Sequence, residues 1–111
     1  MAKFRLDNKT AVITGGASGI GRSIAETFAQ QGAHVFILDI NQEAAKDLAK
    51  ALQLKGWLAK SYKADLTKQK TVQRLIEKIH AQHPIDILVN NAGVGFVGNL
   101  EQTPALFTKI S

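Results

Sequence analysis

The chain has 111 residues, 45% of them hydrophobic and 21% charged, which excludes disordered, collagenous and coiled-coil classes and allows a single globular domain at most. Lys and Arg total 14 against 9 acidic residues, a formal net charge of +5, but the basic residues are scattered along the chain. This pattern is typical of a solvated surface, so we predict no nucleic-acid partner.

The absence of cysteine excludes disulfides, thiol catalysis and cysteine-ligated zinc. No apolar run approaches the ~20 residues that cross a bilayer, and the first ten residues lack the apolar region of a secretory signal. The sequence therefore predicts a soluble, cytoplasmic protein that does not bind a membrane.

Short apolar runs alternate with helical patterns along the chain. A first strand is predicted over residues 10–15, and apolar residues at three-to-four spacing follow it as far as Gly32. A nearly continuous apolar run over 34–40 predicts a second strand that is covered on both faces. Asn41 then fits a helix N-cap, and an apolar stripe continues from it towards Gly56.

The second half of the chain repeats the alternation less clearly. Residues 57–64 predict a weaker strand, and a helix follows it and stops before Pro84. Residues 85–89 predict a fourth, buried strand, and residues 104–110 could begin another helix. Strands alternating with long helices predict an α/β fold: a truncated Rossmann-type doubly wound parallel sheet of about four strands in the order 3-2-1-4.

Residues 14–21, which we call the glycine-rich loop, carry the strongest chemical signal, TGGASGIG, between the first strand and the first helix. Phosphate groups bind to backbone N–H groups at a helix N-terminus, and side chains obstruct their approach. Gly15 permits the tight exit from the strand, Gly19 clears space beside a pyrophosphate, and Gly21 allows close packing of helix on sheet. We therefore predict a dinucleotide site, with Ser18 and Ile20 at the start of the helix.

Asp39 stands at the carboxyl end of the second strand, where the adenosine ribose of a dinucleotide is expected. A carboxylate there accepts hydrogen bonds from the ribose hydroxyls and repels a 2′-phosphate. No Arg adjoins it, since Ile40 and Asn41 follow. The sequence thus favours NAD over NADP, and the alternative is an Asp that caps a helix and binds no ligand.

Three motifs together resemble the short-chain dehydrogenases/reductases, over the stretch from about Leu6 to at least Gly98. They are the Thr-Gly-x-x-x-Gly-x-Gly spacing of the glycine-rich loop, the acidic-aliphatic pair Asp65-Leu66, and the Asn-Asn-Ala-Gly segment at residues 90–93. The resemblance implies an oxidoreductase that transfers hydride between a nicotinamide cofactor and a small alcohol or ketone. It also implies that Asp65 and Leu66 hold the adenine ring, and that the segment near ribose and nicotinamide comprises Asn91, Ala92 and Gly93.

The chain departs from the family pattern where the chemistry is expected. In relatives a catalytic Ser and a Tyr-x-x-x-Lys follow the fourth strand, but the one tyrosine here, Tyr62, has Leu66 at the lysine position. Residues 1–111 are accordingly interpreted as a partial NAD(P)-binding domain that lacks the family's catalytic half. We expect no catalytic residue in this domain and no activity of the chain alone. The resemblance also implies that the loop at 94–99 borders the substrate, as it does in relatives.

The sequence leaves one alternative function open. The chain could be a stand-alone nucleotide-binding or regulatory module without catalysis. His80 and His83 could ligate a metal, but no third ligand is at hand, so no metal site is predicted. Finally, the fourth strand is expected at an open sheet edge, which favours a homo-oligomer that covers it.

Overall fold

The computed structural model describes residues 5–92, and this part of the chain forms four strands and three helices in strict alternation. Gly93, the expected loop at 94–99 and the expected helix at 104–110 lie outside the described residues. The elements are β1 (Thr10–Thr14), α1 (Gly19–Gln30), β2 (His34–Asp39), α2 (Gln42–Leu54), β3 (Ala59–Lys63), α3 (Gln69–Gln82) and β4 (Ile87–Val89).

The four strands form one parallel sheet in the order β3-β2-β1-β4, which confirms the predicted fold and strand order. β1 lies inside the sheet, with Ala11 opposite Val35 of β2 on one side and opposite Ile87 of β4 on the other. All five residues of β1 are buried. A strand covered on both faces reads as a continuous apolar run, which is why β1 and β2 were recognisable from the sequence.

Alternate side chains of β1 and β2 enter two separate cores. Ile13 and Ile37 pack under α1 and α2, whereas Val12, Phe36 and Leu38 pack on the opposite face against α3. Burial of each such side chain contributes about 1.5–3 kcal/mol relative to its exposure. The buried face of α1 consists of small residues, Gly21, Ala25 and Ala29, so this helix can lie close to the sheet.

The larger boundary differences from the prediction are in β3, α2 and β4, whereas β1 and β2 each end only one residue earlier than predicted. β3 begins at Ala59, because Leu58 is 58% exposed and the half-buried Trp57 packs against the core under α1 and α2. α2 ends at Leu54, two residues before the left-handed turn at Gly56 (φ +85°). β4 is shortened to Ile87–Val89, although the main chain of Asp86 still donates to the Thr10 carbonyl at 2.9 Å.

The polar groups around the start of β4 are engaged in local contacts. The Asp86 carboxylate accepts a hydrogen bond from the Thr10 N–H at 2.9 Å, and His80 Nδ1 accepts one from the Ile85 N–H at 2.9 Å. The His83 ring lies 5.1 Å from the His34 ring, and desolvation, followed by the charges of His83 and Lys60, lowers the His34 pKa. Among residues 5–92, no three His, Asp or Glu side chains are grouped so that they could hold a metal ion.

None of the helices in the described part of the chain combines the length and the hydropathy that a bilayer crossing requires.

Candidate functional site: a dinucleotide-binding loop

The carboxyl ends of β1, β2 and β4 meet at one edge of the sheet, and the glycine-rich loop begins there. The chain leaves β1 at Gly15, whose N–H donates to the Leu38 carbonyl of β2 at 2.7 Å, and enters α1 at Gly19. In open α/β sheets, ligands bind in the crevice outside the carboxyl ends of the strands. The loop therefore stands at the position where this topology binds ligands.

Two glycines of the loop require the conformational freedom that the sequence suggested. Gly15 and Gly19 both adopt left-handed backbone conformations, with φ of +66° and +58°. A Cβ at Gly19 would meet no atom within 4 Å, so this part of the loop faces open space. Backbone is thus exposed to a ligand at the position where clearance for a pyrophosphate was expected.

The glycine-rich loop leaves no space for a side chain at Gly21. A Cβ there would overlap the Gly15 carbonyl oxygen and would lie 2.7 Å from Asn91 Nδ2. The expected close packing at Gly21 therefore involves the strand-exit turn and the amide that follows β4.

No capping or acidic side chain at the start of α1 offsets the positive charge at the N-terminal end of this helix. Ser18 is the N-cap and is extended (φ −150°, ψ 163°), but its side chain makes no capping hydrogen bond, and the first turn contains no acidic residue. The first N–H groups of a helix have no intrahelical acceptor and favour an anion. Ile20, 68% exposed, borders this end and presents an apolar surface beside it.

Asp39 faces the glycine-rich loop from the end of β2. Its Oδ2 accepts a hydrogen bond from the Ala17 N–H at 3.1 Å, and its Oδ1 accepts one from the Asn41 N–H at 3.0 Å. A carboxylate offers about four acceptor positions, so capacity remains for hydroxyl donors. Helix capping is performed by Asn41, whose Oδ1 accepts from the Ala44 N–H at 3.1 Å, which removes capping of α2 as the role of Asp39.

The segment after β4 holds the exit of β1 from the other side. Asn91 Nδ2 donates to the Gly15 carbonyl at 3.0 Å, and the Ala92 N–H donates to Thr14 Oγ1 at 3.2 Å. The Thr14 hydroxyl is fully buried and has the Val89 carbonyl and Asn90 Oδ1 as acceptors, each at 3.3 Å. Thr14 and Ala17 were not selected as site residues, although Thr14 is the first residue of the Thr-Gly-x-x-x-Gly-x-Gly spacing.

Asp65 and Leu66 follow β3 at the same edge of the sheet. Asp65 Oδ1 accepts from both the Oγ1 and the N–H of Thr67, at 2.6 and 3.0 Å, and these bonds lower the Asp65 pKa. Leu66 packs against the core under α3. Tyr62 lies in β3, stacked on Phe36 with ring centroids 6.2 Å apart, as expected for a structural tyrosine.

The model of the short chain dehydrogenase family matches residues 9–110. The chain belongs to this family. It is 46% identical over 91 residues to an uncharacterized oxidoreductase of Bacillus subtilis, covering 81% of the chain and 33% of the relative. It is 39% identical over 102 residues to an NAD-dependent glycerol dehydrogenase of Listeria innocua, covering 91% and 39%.

Two solved structures of short-chain dehydrogenases match closely. A 7α-hydroxysteroid dehydrogenase complexed with NADH and 7-oxo glycochenodeoxycholic acid has a TM-score of 0.73 and 40% identity, covering 78% of this chain and 34% of that one. A Beutenbergia cavernae protein with NADP bound at low occupancy has a TM-score of 0.72 and 35% identity, covering 77% of this chain and 34% of that one. A dinucleotide cofactor is thus common to these short-chain dehydrogenases, and both forms of it occur.

In this short-chain dehydrogenase chain, most of the predicted cofactor residues lie at one edge of the sheet. Asp65 and Leu66 stand beside them after β3, and Gly93 lies outside the described residues. The predicted residues at the shared edge are Gly15, Ser18, Gly19, Ile20, Gly21, Asp39, Asn91 and Ala92.

The chain spans about a third of the length of several relatives that it matches, 33% of the first of them.

Proposed function

We propose that the chain is the dinucleotide-binding part of an oxidoreductase that transfers hydride between a nicotinamide cofactor and a small alcohol or ketone. The observation that carries the proposal is the open backbone at Gly19 beside the uncapped N-terminus of α1, with the Asp39 carboxylate across the loop. Relatives that are named as dehydrogenases support the reaction class.

The residues present suit a dinucleotide in four places. The first turn of α1 and Gly19 fit the pyrophosphate, because N–H groups and free space occur together there. Asp39 suits the adenosine ribose, and Asp65 with Leu66 would border the adenine. Asn91, Ala92 and Gly93 would stand on the nicotinamide side. The bound cofactor would carry the hydride, while these residues bind and orient it.

We expect the chain to bind NADH more tightly than NADPH by about fivefold, since a 2′-phosphate near Asp39 meets a like charge worth about 1 kcal/mol at 4 Å in water. Isothermal titration calorimetry with both nucleotides measures the ratio. The double variant Asp39→Ala/Ile40→Arg should narrow or invert it. Asp47→Ala, an equal charge change on the exposed surface of α2, should leave it unchanged. Tighter binding of NADPH by the unaltered chain would contradict the preference.

We further expect that these 111 residues oxidise no alcohol above the blank rate. Hydride transfer at a carbinol carbon needs a group that takes the hydroxyl proton, and the sequence contains no Tyr-x-x-x-Lys to supply it. Absorbance at the NADH band, followed with a panel of secondary alcohols, measures the rate. NADH formation by a preparation shown by mass spectrometry to be free of longer dehydrogenases would overturn this expectation.

We also propose that the protein is cytoplasmic and that it forms a homo-oligomer, in which a second copy covers β4. β4 stands at one end of the sheet in the described part of the chain, so one row of its backbone groups faces away from β1. Leu88 and Val89 are themselves buried, so these two side chains add no exposed apolar surface to the edge. The proposal therefore rests on the backbone edge. Light scattering over a concentration series should give a mass above 12.0 kDa, and a constant monomer mass would end it.

A further inference from the structure

We propose that Asp39 is a positioning residue that holds the glycine-rich loop in its ligand-binding shape, through the N–H of Ala17. This role is separate from any contact between Asp39 and a ribose, and it rests on the proposed function in that the loop is taken to bind a diphosphate. The two roles predict different effects on ligands that lack ribose hydroxyls.

The Asp39 carboxylate ties the middle of the loop to the end of β2, in addition to the hydrogen bond from the Gly15 N–H to the Leu38 carbonyl at the start of the loop. Asp39 Oδ2 accepts from Ala17 in the middle of the loop, while Oδ1 accepts from Asn41, the residue that caps α2. One side chain thus joins the loop to the start of α2. Ala17 is itself buried, with 5% of its surface exposed, so its N–H cannot readily turn to water when the carboxylate is removed.

The position of Ala17 decides where the exposed loop backbone points. Ala17 immediately precedes Ser18, the N-cap of α1, and Gly19, whose open side would meet the diphosphate. On the side of β4, Asn91 holds the carbonyl of Gly15. The loop is therefore supported at its start by Asn91 and at its middle by Asp39, and loss of Asp39 leaves the middle without that support.

Electrostatics makes the two roles separable. If Asp39 only accepts ribose hydroxyls, its replacement by alanine removes a negative charge near a diphosphate site, and binding of a diphosphate without hydroxyls should stay equal or become tighter. If Asp39 also positions the loop, the same replacement should weaken that binding. The sign of the change distinguishes the two cases.

The test measures the affinity of ADP and of 2′,3′-dideoxy-ADP for the unaltered chain and for Asp39→Ala by calorimetry. We expect Asp39→Ala to raise the dissociation constant of the dideoxy compound about tenfold, the factor that loss of one charge-assisted hydrogen bond corresponds to. Asp47→Ala, on the exposed surface of α2, is the matched charge control and should leave both constants unchanged. In amide NMR spectra of Asp39→Ala, the signals of Ala17, Ser18 and Gly19 should shift, and those of Val72 and Ile76 in α3 should not.

The outcomes separate this inference from the proposed function. If the unaltered chain binds neither nucleotide, the proposed function fails. If it binds both and Asp39→Ala weakens only ADP, Asp39 acts on the ribose alone and the positioning role is wrong. Should Asp39→Ala not fold, Asp39→Asn replaces it, because one amide oxygen keeps an acceptor while the amide nitrogen cannot accept from the second N–H. If the amide signal of Ala17 shifts in that folded variant, showing that its hydrogen bond is lost, and binding of the dideoxy compound is unchanged, the role is likewise overturned.

Discussion

Gly21→Ala is expected to lower the free energy of unfolding by about 3 kcal/mol, one of the larger effects of any single methyl group in this chain. The added Cβ would overlap the Gly15 carbonyl oxygen of the strand-exit turn and press on the Asn91 side-chain amide that follows β4. The first neighbour is backbone, and the second is held in place by its own hydrogen bond to the same Gly15 oxygen. We expect the chain to lose its measurable affinity for dinucleotides as well. Urea unfolding followed by circular dichroism, with nucleotide calorimetry, measures both effects.

The helix preference of alanine over glycine acts in the opposite direction, so a loss of stability in Gly21→Ala can be attributed to the steric overlap. Alanine stabilises a helix interior relative to glycine by about 1 kcal/mol, so an exposed Gly→Ala change in α1 would be stabilising. Ser23→Ala serves as the control, because Ser23 lies in the same helix and is exposed. That variant should unfold within about 0.5 kcal/mol of the unaltered chain. Equal stability of Gly21→Ala and Ser23→Ala would show that the turn moves freely, contrary to the structure.

Asn91→Asp is expected to cost about 2 kcal/mol of stability and to weaken dinucleotide binding by tenfold or more. The substitution preserves shape but exchanges a donor for a charged acceptor, 3.0 Å from the Gly15 carbonyl oxygen. Two acceptors would then face each other at a half-buried site, and the new negative charge would not be paired with this carbonyl, which is costly. The same unfolding and calorimetric measurements apply, at a pH near 7 so that the new carboxylate is ionised.

Asn41→Asp provides a matched control, because it makes the same chemical change where the amide acts as an acceptor. Asn41 Oδ1 accepts from the Ala44 N–H at the start of α2, and a carboxylate serves as well in that position. Its charge also lies favourably at the positive end of the helix. We expect the stability to stay equal or to rise by a few tenths of a kcal/mol. Similar losses in both variants would mean that the direction of the Asn91 hydrogen bond is unimportant.

The parts of the fold that follow from hydrophobic periodicity were predictable from the sequence. The interior residues of β1 and β2 are apolar because both faces of these strands are covered, and Asn41 indicated the start of α2 because its side chain suits an N-cap. The start of β3 was not predictable in this way. Trp57 has a high strand preference, yet its ring packs against the core from outside the sheet, and such tertiary packing leaves no periodic signal.

Candidate residues for the site could be selected from the sequence, but the contacts between them could not. The glycines of the loop and Asp39 were identified by type and position, because phosphate and ribose recognition restricts both. The hydrogen bond from Ala17 to Asp39 could not be foreseen, since any residue other than proline supplies a backbone N–H. The same holds for Thr14, whose hydroxyl joins two strands that are far apart in the sequence.

The contacts between the exit of β1 and the end of β4 also bear on how the protein acquires its site during folding. Thr14 and Ala92 are hydrogen-bonded across 78 positions of sequence, and Gly15 and Asn91 across 76. Closing so long a loop is entropically costly and is made up for only when the intervening units have formed. During synthesis, β1, α1 and β2 can pair before residue 91 leaves the ribosome, but the strand-exit turn still lacks its second support. Nucleotide affinity should therefore arise late, in the step that adds β4 to a sheet already assembled on its other side.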